Sequence, residues 1–303
     1  MLKLLAAGNT GFTEQDIERI KSLDYSVDVM EQEKQVPIAT DYDVVICNFF
    51  FLNHDIRYFS NLKAVQLLSA GFDRMPVDYA KKQGIEVRNA RGIYSIPIAE
   101  LVVMTTLEAY KHSFFFYEKQ KAHKWEKKRD LDELSDKTVC VFGTGSVGTE
   151  VAKRFSAFTD SVIGVDLKPA GKQFFKIVYG LNQKEEALKQ SDVIILTLPL
   201  TDETYHMFGS ELFEVMKDDA VFVNVARGAL IDDEALKRSL ESGMFRSVIL
   251  DVFENEPLDE NYWGWDAERV RIIPHNSFVS RRNDERMKEQ IMKNLKEWSF
   301  RFS

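Results

Sequence analysis

The sequence predicts an α/β protein with two domains, each a doubly wound parallel sheet. The 303 residues are too many for one ordinary core and about right for two. Short β-branched runs also alternate with amphipathic helical patterns along the whole chain. This alternation is typical of parallel sheets covered by helices on both faces.

The first series of alternating elements lies in the N-terminal third of the chain. Its strand candidates are LKLLAAG, YSVDVM, DVVICN, AVQLLS and IEVRN. Between them, TEQDIERIKSL, HDIRYFSNL and VDYAKKQG place apolar residues at helical spacing, so each segment predicts a helix. Gly84 stands where the last of these helices is expected to end, which is a usual position for glycine.

One long helix is predicted to follow. It starts near Ser95, which suits an N-cap, has Pro97 in its first turn, and continues through IAELVVMTTLEAYKHSFFFYEKQ. Its C-terminal part, from Phe114 to Tyr117, is apolar on more than one face. A helix this apolar is buried inside the monomer or against another subunit. We favour the subunit contact, and therefore a homodimer.

A second alternating series occupies the rest of the chain. Its strand candidates are KTVCVFG, SVIGVD, DVIILTLP, AVFVNVA, SVILDV and VRIIP. The tail RNDERMKEQIMKNLKEWSFRF is one amphipathic helix that needs an apolar surface, and the first domain can supply it. We therefore expect one discontinuous domain, residues 1–96 plus 279–303, and a second domain of residues 97–278.

Composition excludes several classes of function. The net charge of −8 argues against a nucleic-acid partner, because phosphate contacts need a basic face. No apolar run is as long as a membrane span, and MLKLLAAGNTGF is too weakly apolar for a signal peptide. Cys47 and Cys140 lie in strand-like runs and are expected to be buried thiols of a cytoplasmic protein. Because CxxC, HExxH and GKS/T motifs are absent from the sequence, no metal site is expected.

A glycine-rich turn opens the second domain. TVCVFGTGSVGTEVAKRF places Gly143, Gly145 and Gly148 in G-x-G-x-x-G spacing between an apolar strand and a helix. In that context the first glycine permits a tight turn, the second lets the backbone approach a pyrophosphate, and the third lets the helix pack on the strand. Ser146 and Val147 add N–H groups at the helix N-terminus, where phosphates bind. The alternative is an ordinary strand–helix turn.

Asp166 ends the next strand, where an acid can bind the adenosine ribose hydroxyls. Its carboxylate would repel the 2′-phosphate of NADP, so the sequence favours NAD(H) over NADP(H), although Lys168 weakens this repulsion. Further cofactor-binding candidates lie at the ends of later strands: Leu198, Pro199, Thr204, Val225, Ala226 and Asp251. A plain loop is the alternative for the first three, whereas Asp251 stands where a nicotinamide carboxamide could be held.

Arg227 directly follows a predicted buried strand in NVARGALIDDEAL. An arginine at the carboxyl end of a central strand is costly unless it meets an anion, and its planar fork suits a carboxylate. Either a substrate carboxylate or a nearby acid such as Asp232 can be that anion.

Glu256 and His275 follow the next two predicted strands. A carboxylate beside an imidazole stabilises the imidazolium, so together they can act as a general acid–base pair. Structural roles are the alternative, and we favour a solvated loop position for the neighbouring Glu254. His206 is interpreted as a loop histidine.

These segments together resemble the NAD-dependent D-isomer-specific 2-hydroxyacid dehydrogenases. The resemblance is carried by GTGSVG with Asp166, LPLTDET, NVARGALIDDEAL, LDVFENEP and the dipeptide PH. It implies that Arg227, Glu256 and His275 form the catalytic set. It also implies a flavodoxin-like substrate domain beside a Rossmann NAD-binding domain.

The resemblance extends to the first domain. LLSAGFD is similar to the family's glycine loop, which implies that Ser69, Ala70 and Gly71 help to bind the substrate carboxylate. NARGIYSIPIAE is similar to the segment that leads into the interdomain helix, which implies that Tyr94 faces the cleft. The run NSFVS after His275 departs from the small residues and glycines that the family often has there.

The implied function is hydride transfer between NAD(H) and a 2-oxo or 2-hydroxy acid, with D stereospecificity. The loop CNFFFLNHD has three phenylalanines and no arginine or lysine, which favours a small or apolar substrate over a phosphorylated one. The alternative is that these rings only pack the domain. A NAD(H)-sensing binding protein of the same fold is the second reading. The third is a related enzyme that oxidises formate or phosphite, and Glu256 disfavours formate.

Overall fold

The computed structural model describes residues 1–35, 39–72 and 74–302. They form two compact units, one of Met1–Tyr94 with Ser280–Ser303 and the other of Ser95–Val279. In chain order the strands are β1 (Leu2–Ala7), β2 (Tyr25–Met30), β3 (Val44–Cys47), β4 (Ala64–Leu67), β5 (Glu86–Arg88), β6 (Val139–Phe142), β7 (Val162–Asp166), β8 (Ile177–Gly180), β9 (Val193–Leu196), β10 (Ala220–Asn224), β11 (Phe245–Leu250) and β12 (Val270–Ile272).

Helices alternate with these strands. In chain order they are α1 (Glu14–Lys21), α2 (Phe50–Asn53), α3 (Val77–Lys82), α4 (Ser95–Lys111), α5 (Ser113–Lys121), α6 (Ser146–Phe155), α7 (Lys184–Lys189), α8 (Ser210–Glu214), α9 (Asp233–Glu241) and α10 (Asn283–Phe302). Short 3₁₀ turns add Ile56–Tyr58, Leu181–Gln183, Gly228–Leu230 and Trp263–Trp265.

The first unit is built on a parallel sheet in the order β2-β1-β3-β4-β5. Helix α10 covers one face, because Met287, Ile291, Leu295 and Trp298 recur at helical spacing and join the core under β1 and β3. The C-terminal tail therefore belongs to the same core as the N-terminal strands. A second core on the other face contains Val45, Val65 and the side chains of α2 and α3.

The second unit is built on a larger parallel sheet in the order β12-β11-β10-β9-β6-β7-β8. Its central strands β6, β9 and β10 are buried along their whole length, as expected for strands with helices on both faces. The strand order reverses beside β6, where doubly wound sheets bind their ligands. The predicted class, two doubly wound parallel-sheet domains of flavodoxin-like and Rossmann type, is confirmed.

The structure differs from the sequence prediction in the long middle helix. This helix is divided at His112, which has a left-handed φ of 48°, into α4 and α5. Ser95 is the first residue of α4, not its N-cap. A left-handed residue ends a helix and redirects the chain, and the new direction lets the ring of Phe114 lie 3.7 Å under the Arg271 guanidinium.

Two shorter segments also differ. HDIRYFSNL forms only the 3₁₀ turn at Ile56–Tyr58, while the helical turn α2 lies just before it. Strand β8, in KIVYG, was not predicted, because four residues at the edge of a sheet leave little periodicity. None of the helices in the described ranges combines the length and apolar character that a membrane crossing requires.

Candidate active site

The glycine-rich turn joins β6 to α6 and fits a bound pyrophosphate. Gly143 has a left-handed φ of 96°, and a Cβ there would lie 2.8 Å from backbone atoms after β9. A Cβ on Gly148 would lie 1.9 Å from the Gly143 carbonyl oxygen, so α6 can pack on β6 only with glycine there. Nothing lies within 4 Å of a Cβ built on Gly145, and no side chain caps α6. The turn thus leaves room for phosphates beside the amides of Ser146–Val147.

Asp166, at the end of β7, lies next to this turn. Its Oδ2 accepts hydrogen bonds from the Thr144 amide and hydroxyl, both at 2.7 Å, and its Oδ1 accepts the Lys168 amide at 3.0 Å. Burial raises the pKa of this carboxyl, but these hydrogen bonds and nearby Lys172 outweigh burial and leave the pKa below its usual value. Asp166 is therefore an anion at the end of β7, where the prediction requires one.

The other predicted cofactor residues differ in how far they are buried. Leu198, Val225 and Ala226 are buried, and Pro199 is exposed. Thr204 is fully buried, and its hydroxyl donates to the Pro199 carbonyl at 2.8 Å. This hydroxyl shapes the loop after β9. Contacts of these residues with a cofactor stay predictions.

Glu256 and His275 meet, as the predicted acid–base pair requires. His275 Nδ1 lies 2.7 Å from Glu256 Oε2, and Glu256 Oε1 accepts the Phe253 amide at 2.9 Å. The His275 side chain is 39% exposed, so its ring remains accessible. Because Nδ1 contacts the carboxylate, Nε2 at the tip of the ring is the nitrogen left for a ligand.

The backbone around His275 is held by Asp251, at the end of β11. The fully buried Asp251 carboxylate accepts the amides of Asn276 at 2.8 Å and Ser277 at 3.1 Å. The His275 amide donates to the Asp251 carbonyl at 2.8 Å. These bonds fix His275 in its left-handed conformation, with φ of 48°. Asp251 thus supports the His275 loop, and its predicted contact with nicotinamide stays a prediction.

Arg227 lies just beyond β10, the strand adjacent to β11. A buried Asn224 shapes this turn, since its amide nitrogen donates to the Arg227 carbonyl at 2.8 Å and its oxygen accepts the Ala226 amide at 3.0 Å. The alternative partner Asp232 caps α9 by accepting the Ala235 amide at 3.0 Å. Arg227, Glu256 and His275 follow β10, β11 and β12, which are three adjacent strands of one sheet.

The predicted substrate residues of the first unit lie in the loop after β4. The Ser69 hydroxyl donates to the Gly71 carbonyl at 3.0 Å, and Ala70 is exposed. Tyr94 is half-buried, and its hydroxyl donates to the Leu68 carbonyl at 2.7 Å. Burial raises the pKa of this phenol. The Tyr94 hydroxyl thus holds the end of β4, and the substrate contacts of all four residues stay predictions.

Residues 103–277 match the family model described as "D-isomer specific 2-hydroxyacid dehydrogenase, NAD binding domain". The chain belongs to the D-isomer specific 2-hydroxyacid dehydrogenases. It is 35% identical to hydroxypyruvate reductase of Thermotoga maritima, over 78% of this chain and 78% of that protein. Members of this family are oxidoreductases that act on CH–OH groups with NAD(P). The predicted family and enzyme class are confirmed.

Solved structures agree with this assignment along nearly the whole chain. A glyoxylate reductase from Paecilomyes thermophila superposes with a TM-score of 0.84 at 26% identity, covering 98% of this chain and 95% of that one. A D-lactate dehydrogenase from Aquifex aeolicus, complexed with NAD and lactic acid, has a TM-score of 0.78 at 26% identity with the same coverage. Neither relative favours the alternative of a NAD(H)-sensing binding protein.

Within this dehydrogenase, the phenylalanines after β3 have different roles. Phe50 and Phe51 are buried, so the packing alternative holds for them, whereas Phe49 is 41% exposed. The Arg74 guanidinium lies 3.9 Å over the Phe49 ring, and its Nη1 donates to Asn48 Oδ1 at 3.3 Å. The loop has no cation of its own, but the fold brings one to it from the loop after β4.

Sequence reasoning missed one pair beside the dehydrogenase site. Glu254, interpreted as a solvated loop acid, lies 3.0 Å from His206, interpreted as a loop histidine. The available signal was that both follow strands of the same parallel sheet, whose carboxyl ends share one edge. A second missed residue is Asn224, whose signal was a polar side chain at the end of a fully buried strand.

Proposed function

We propose that the protein is a reductase that uses NADH to convert a small 2-oxo acid into the D-2-hydroxy acid. The observation that carries this proposal is the 2.7 Å contact between His275 Nδ1 and Glu256 Oε2. This pair lies on the loops after β11 and β12, beside the loop after β10 that carries Arg227. A general acid and an anion-binding guanidinium are what reduction of a 2-oxo acid requires of a protein.

Each residue of this set has one proposed role. Arg227 binds the substrate carboxylate with its planar fork and polarises the carbonyl that will be reduced. His275, protonated, donates a proton from Nε2 to the carbonyl oxygen, and Glu256 orients the ring through its contact with Nδ1. Bound NADH supplies the hydride that reduces C2 of the substrate. For the first unit, Ser69, Ala70, Gly71 and Tyr94 are the proposed substrate-binding residues.

The proposed cofactor residues are Gly143, Gly145, Ser146, Val147, Gly148, Asp166, Leu198, Pro199, Thr204, Val225, Ala226 and Asp251. The steric requirement for glycine at Gly143 and Gly148 and the open space at Gly145 support pyrophosphate binding. The negative charge of Asp166 supports a preference for NAD(H) over NADP(H), because it would repel a 2′-phosphate. Lys172, whose Nζ donates to the Thr144 carbonyl at 2.7 Å, moderates that repulsion.

Three further assignments belong to this proposal. The unit of Met1–Tyr94 with the C-terminal helix is the substrate domain, and the unit of Ser95–Val279 is the NAD-binding domain.

The third assignment is a cytoplasmic location. The thiols of Cys47 and Cys140 are free and buried, which suits a reducing compartment, and burial raises the pKa of Cys140 to about 12.

We also propose a homodimer through the NAD-binding domains. The exposed rings of Phe114, Phe116 and Tyr117 on α5 and the exposed Met104 on α4 support a contact there. A solution mass of one chain, measured by light scattering, would contradict it.

The experiment that tests the function follows NADH absorbance in the presence of 2-oxo acids. The panel contains glyoxylate, pyruvate, hydroxypyruvate, 2-oxoisocaproate, phenylpyruvate and 3-phosphohydroxypyruvate, with NADPH in parallel. We expect turnover of a member with a small or apolar side chain, because the exposed ring of Phe49 offers an apolar surface after β3. The phosphorylated member tests the contribution of Arg74. Protein that binds NADH but reduces none of them would favour the NAD(H)-sensing alternative.

A further inference from the structure

We propose that His206 is a positioning residue, which holds the catalytic loop of Glu256 in place through Glu254. This inference rests on the reductase activity proposed above. It assigns a role to a second imidazole–carboxylate pair, separate from His275 and Glu256 but on the same loop.

Two neighbouring side chains, Tyr205 and His206, each contact one carboxylate oxygen of Glu254. His206 Nε2 lies 3.0 Å from Glu254 Oε2, and the Tyr205 hydroxyl donates to Glu254 Oε1 at 3.2 Å. The rings of Tyr205 and His206 stack with centroids 4.0 Å apart and planes 15° from parallel. Stacking restricts the imidazole to one orientation, so its bond to Glu254 has a defined direction.

The backbone of His206 is in turn tied to the loop that carries Arg227. The His206 amide donates to the Ala229 carbonyl at 2.8 Å, and the Phe208 amide donates to the Leu230 carbonyl at 2.9 Å. His206 has a left-handed φ of 47°, an uncommon conformation that a non-glycine residue keeps only where its surroundings impose it. These bonds join the loops after β9 and β10 into one support.

The loop that carries Glu256 needs such a support. Residues 254–257 are exposed and belong to no helix or strand. The backbone of Phe253 packs closely on Gly228. A Cβ built on Gly228 would lie 1.9 Å from the Phe253 carbonyl carbon. The loop is thus fixed at Phe253 by packing and at Glu254 by the imidazole, two residues before Glu256.

The consequence concerns proton transfer more than cofactor binding. If Glu254 is released, Glu256 loses a restraint and its 2.7 Å contact with His275 becomes less populated. The turn that carries Arg227 should stay in place, because the Asn224 side chain holds it independently of Glu254. The glycine-rich turn lies after β6 and does not share these bonds. The chemical step should therefore slow while NADH affinity stays the same.

The test measures kcat, KM for the best 2-oxo acid and Kd for NADH in five variants. They are His206→Ala, Glu254→Ala, the double variant of both, Glu254→Gln, and Glu260→Gln as the control. Glu260 is an exposed acid of the same segment. Melting temperatures are recorded for all of them, so that loss of fold is seen separately.

We expect each alanine variant to lower kcat about tenfold, as the loss of one charge-assisted hydrogen bond predicts, with Kd for NADH changed by less than about twofold. The double variant should match Glu254→Ala, because His206→Ala removes no further contact with Glu254 once that carboxylate is gone. Glu254→Gln keeps a hydrogen-bond acceptor and should stay within about threefold of the wild type. Glu260→Gln should match the wild type.

Several results would overturn the positioning role. Alanine variants that turn over as fast as the wild type would do so, as would losses that multiply in the double variant. If His206→Ala does not fold, the comparison of Glu254→Ala with Glu254→Gln decides, and equal losses in the two would contradict the proposal. A wild-type protein without turnover contradicts the proposed function instead, so the two failures are distinguishable.

Discussion

Two glutamates of the loop after β11 each contact an imidazole of a different loop. Glu256 contacts His275 at 2.7 Å, and Glu254 contacts His206 at 3.0 Å. Both histidines have a left-handed backbone, with φ of 48° and 47°. By composition and distance the two pairs are nearly the same.

They differ in which ring nitrogen the carboxylate contacts. His275 uses Nδ1, near its backbone, so Nε2 at the ring tip is left for a substrate. His206 uses Nε2, so the tip of its ring is already bound to the protein. The orientation of an imidazole, more than the presence of an acid beside it, therefore separates a proton donor from a positioning residue.

The largest expected effect comes from the ring whose tip is left for the substrate. His275→Gln should lower kcat by about 10² to 10⁴-fold, the usual contribution of a general acid. NADH binding should persist, because the glycine-rich turn is unchanged. Steady-state kinetics and fluorescence titration with NADH measure the two effects, with the exposed His123→Gln as the control. If His275→Gln retained full turnover, the two pairs would not differ as described.

A smaller effect is expected at the carboxylate of the same pair. Glu256→Gln keeps the shape of the side chain but replaces its charge-assisted contact with His275 by a neutral one. A lost charge-assisted hydrogen bond of about 1.5–3 kcal/mol corresponds to a fall in kcat of roughly 10- to 150-fold. Glu254→Gln is the matched control on the same loop and should lose much less. Equal losses in the two glutamine variants would remove the distinction between the pairs.

The smallest effect is expected outside both pairs, at Asp166. Asp166→Asn should change the ratio of kcat/KM for NADH over NADPH by about tenfold toward NADPH, roughly 1.4 kcal/mol, because a negative charge near the 2′-phosphate is removed. With saturating NADH, kcat should stay near the wild-type value. Parallel assays with the two cofactors measure the ratio, and an unchanged ratio would contradict the proposed cofactor preference.

Much of this architecture could be predicted from the sequence, because it depends on local patterns. The buried strands of the second unit read as continuous apolar runs, and G-x-G-x-x-G spacing falls between a strand and a helix. Strand ends on one edge of a parallel sheet then bring Glu256 and His275 together. Topology brings the two loops to one edge of the sheet, and the family resemblance selects Glu256 as the partner of His275.

The parts that were missed depend on loop conformation. His206 and Glu254 lie 48 positions apart, and their contact requires the left-handed backbone at His206 and the packing of Phe253 on Gly228. Arg74 reaches Phe49 from another loop in the same way. The break at His112 was missed because nothing in the apolar pattern of α4 and α5 interrupts helical spacing.

The departure NSFVS after His275 also acquires an explanation. Phe278 packs edge-on against the His275 ring, with centroids 5.8 Å apart and planes at 89°. Ser277 is buried, and its amide donates to Asp251. The segment therefore supports the histidine through packing and backbone bonds, a role that its residue types alone did not indicate.

The central claim is reduction of a 2-oxo acid by hydride and proton transfer, with a defined stereochemistry. It is tested most directly by incubating the wild-type protein with NADH and the best substrate that gives a chiral product, followed by chiral chromatography. We expect one D-2-hydroxy acid to form for each NADH oxidised. An L or racemic product, or NADH consumed without formation of a hydroxy acid, would contradict it.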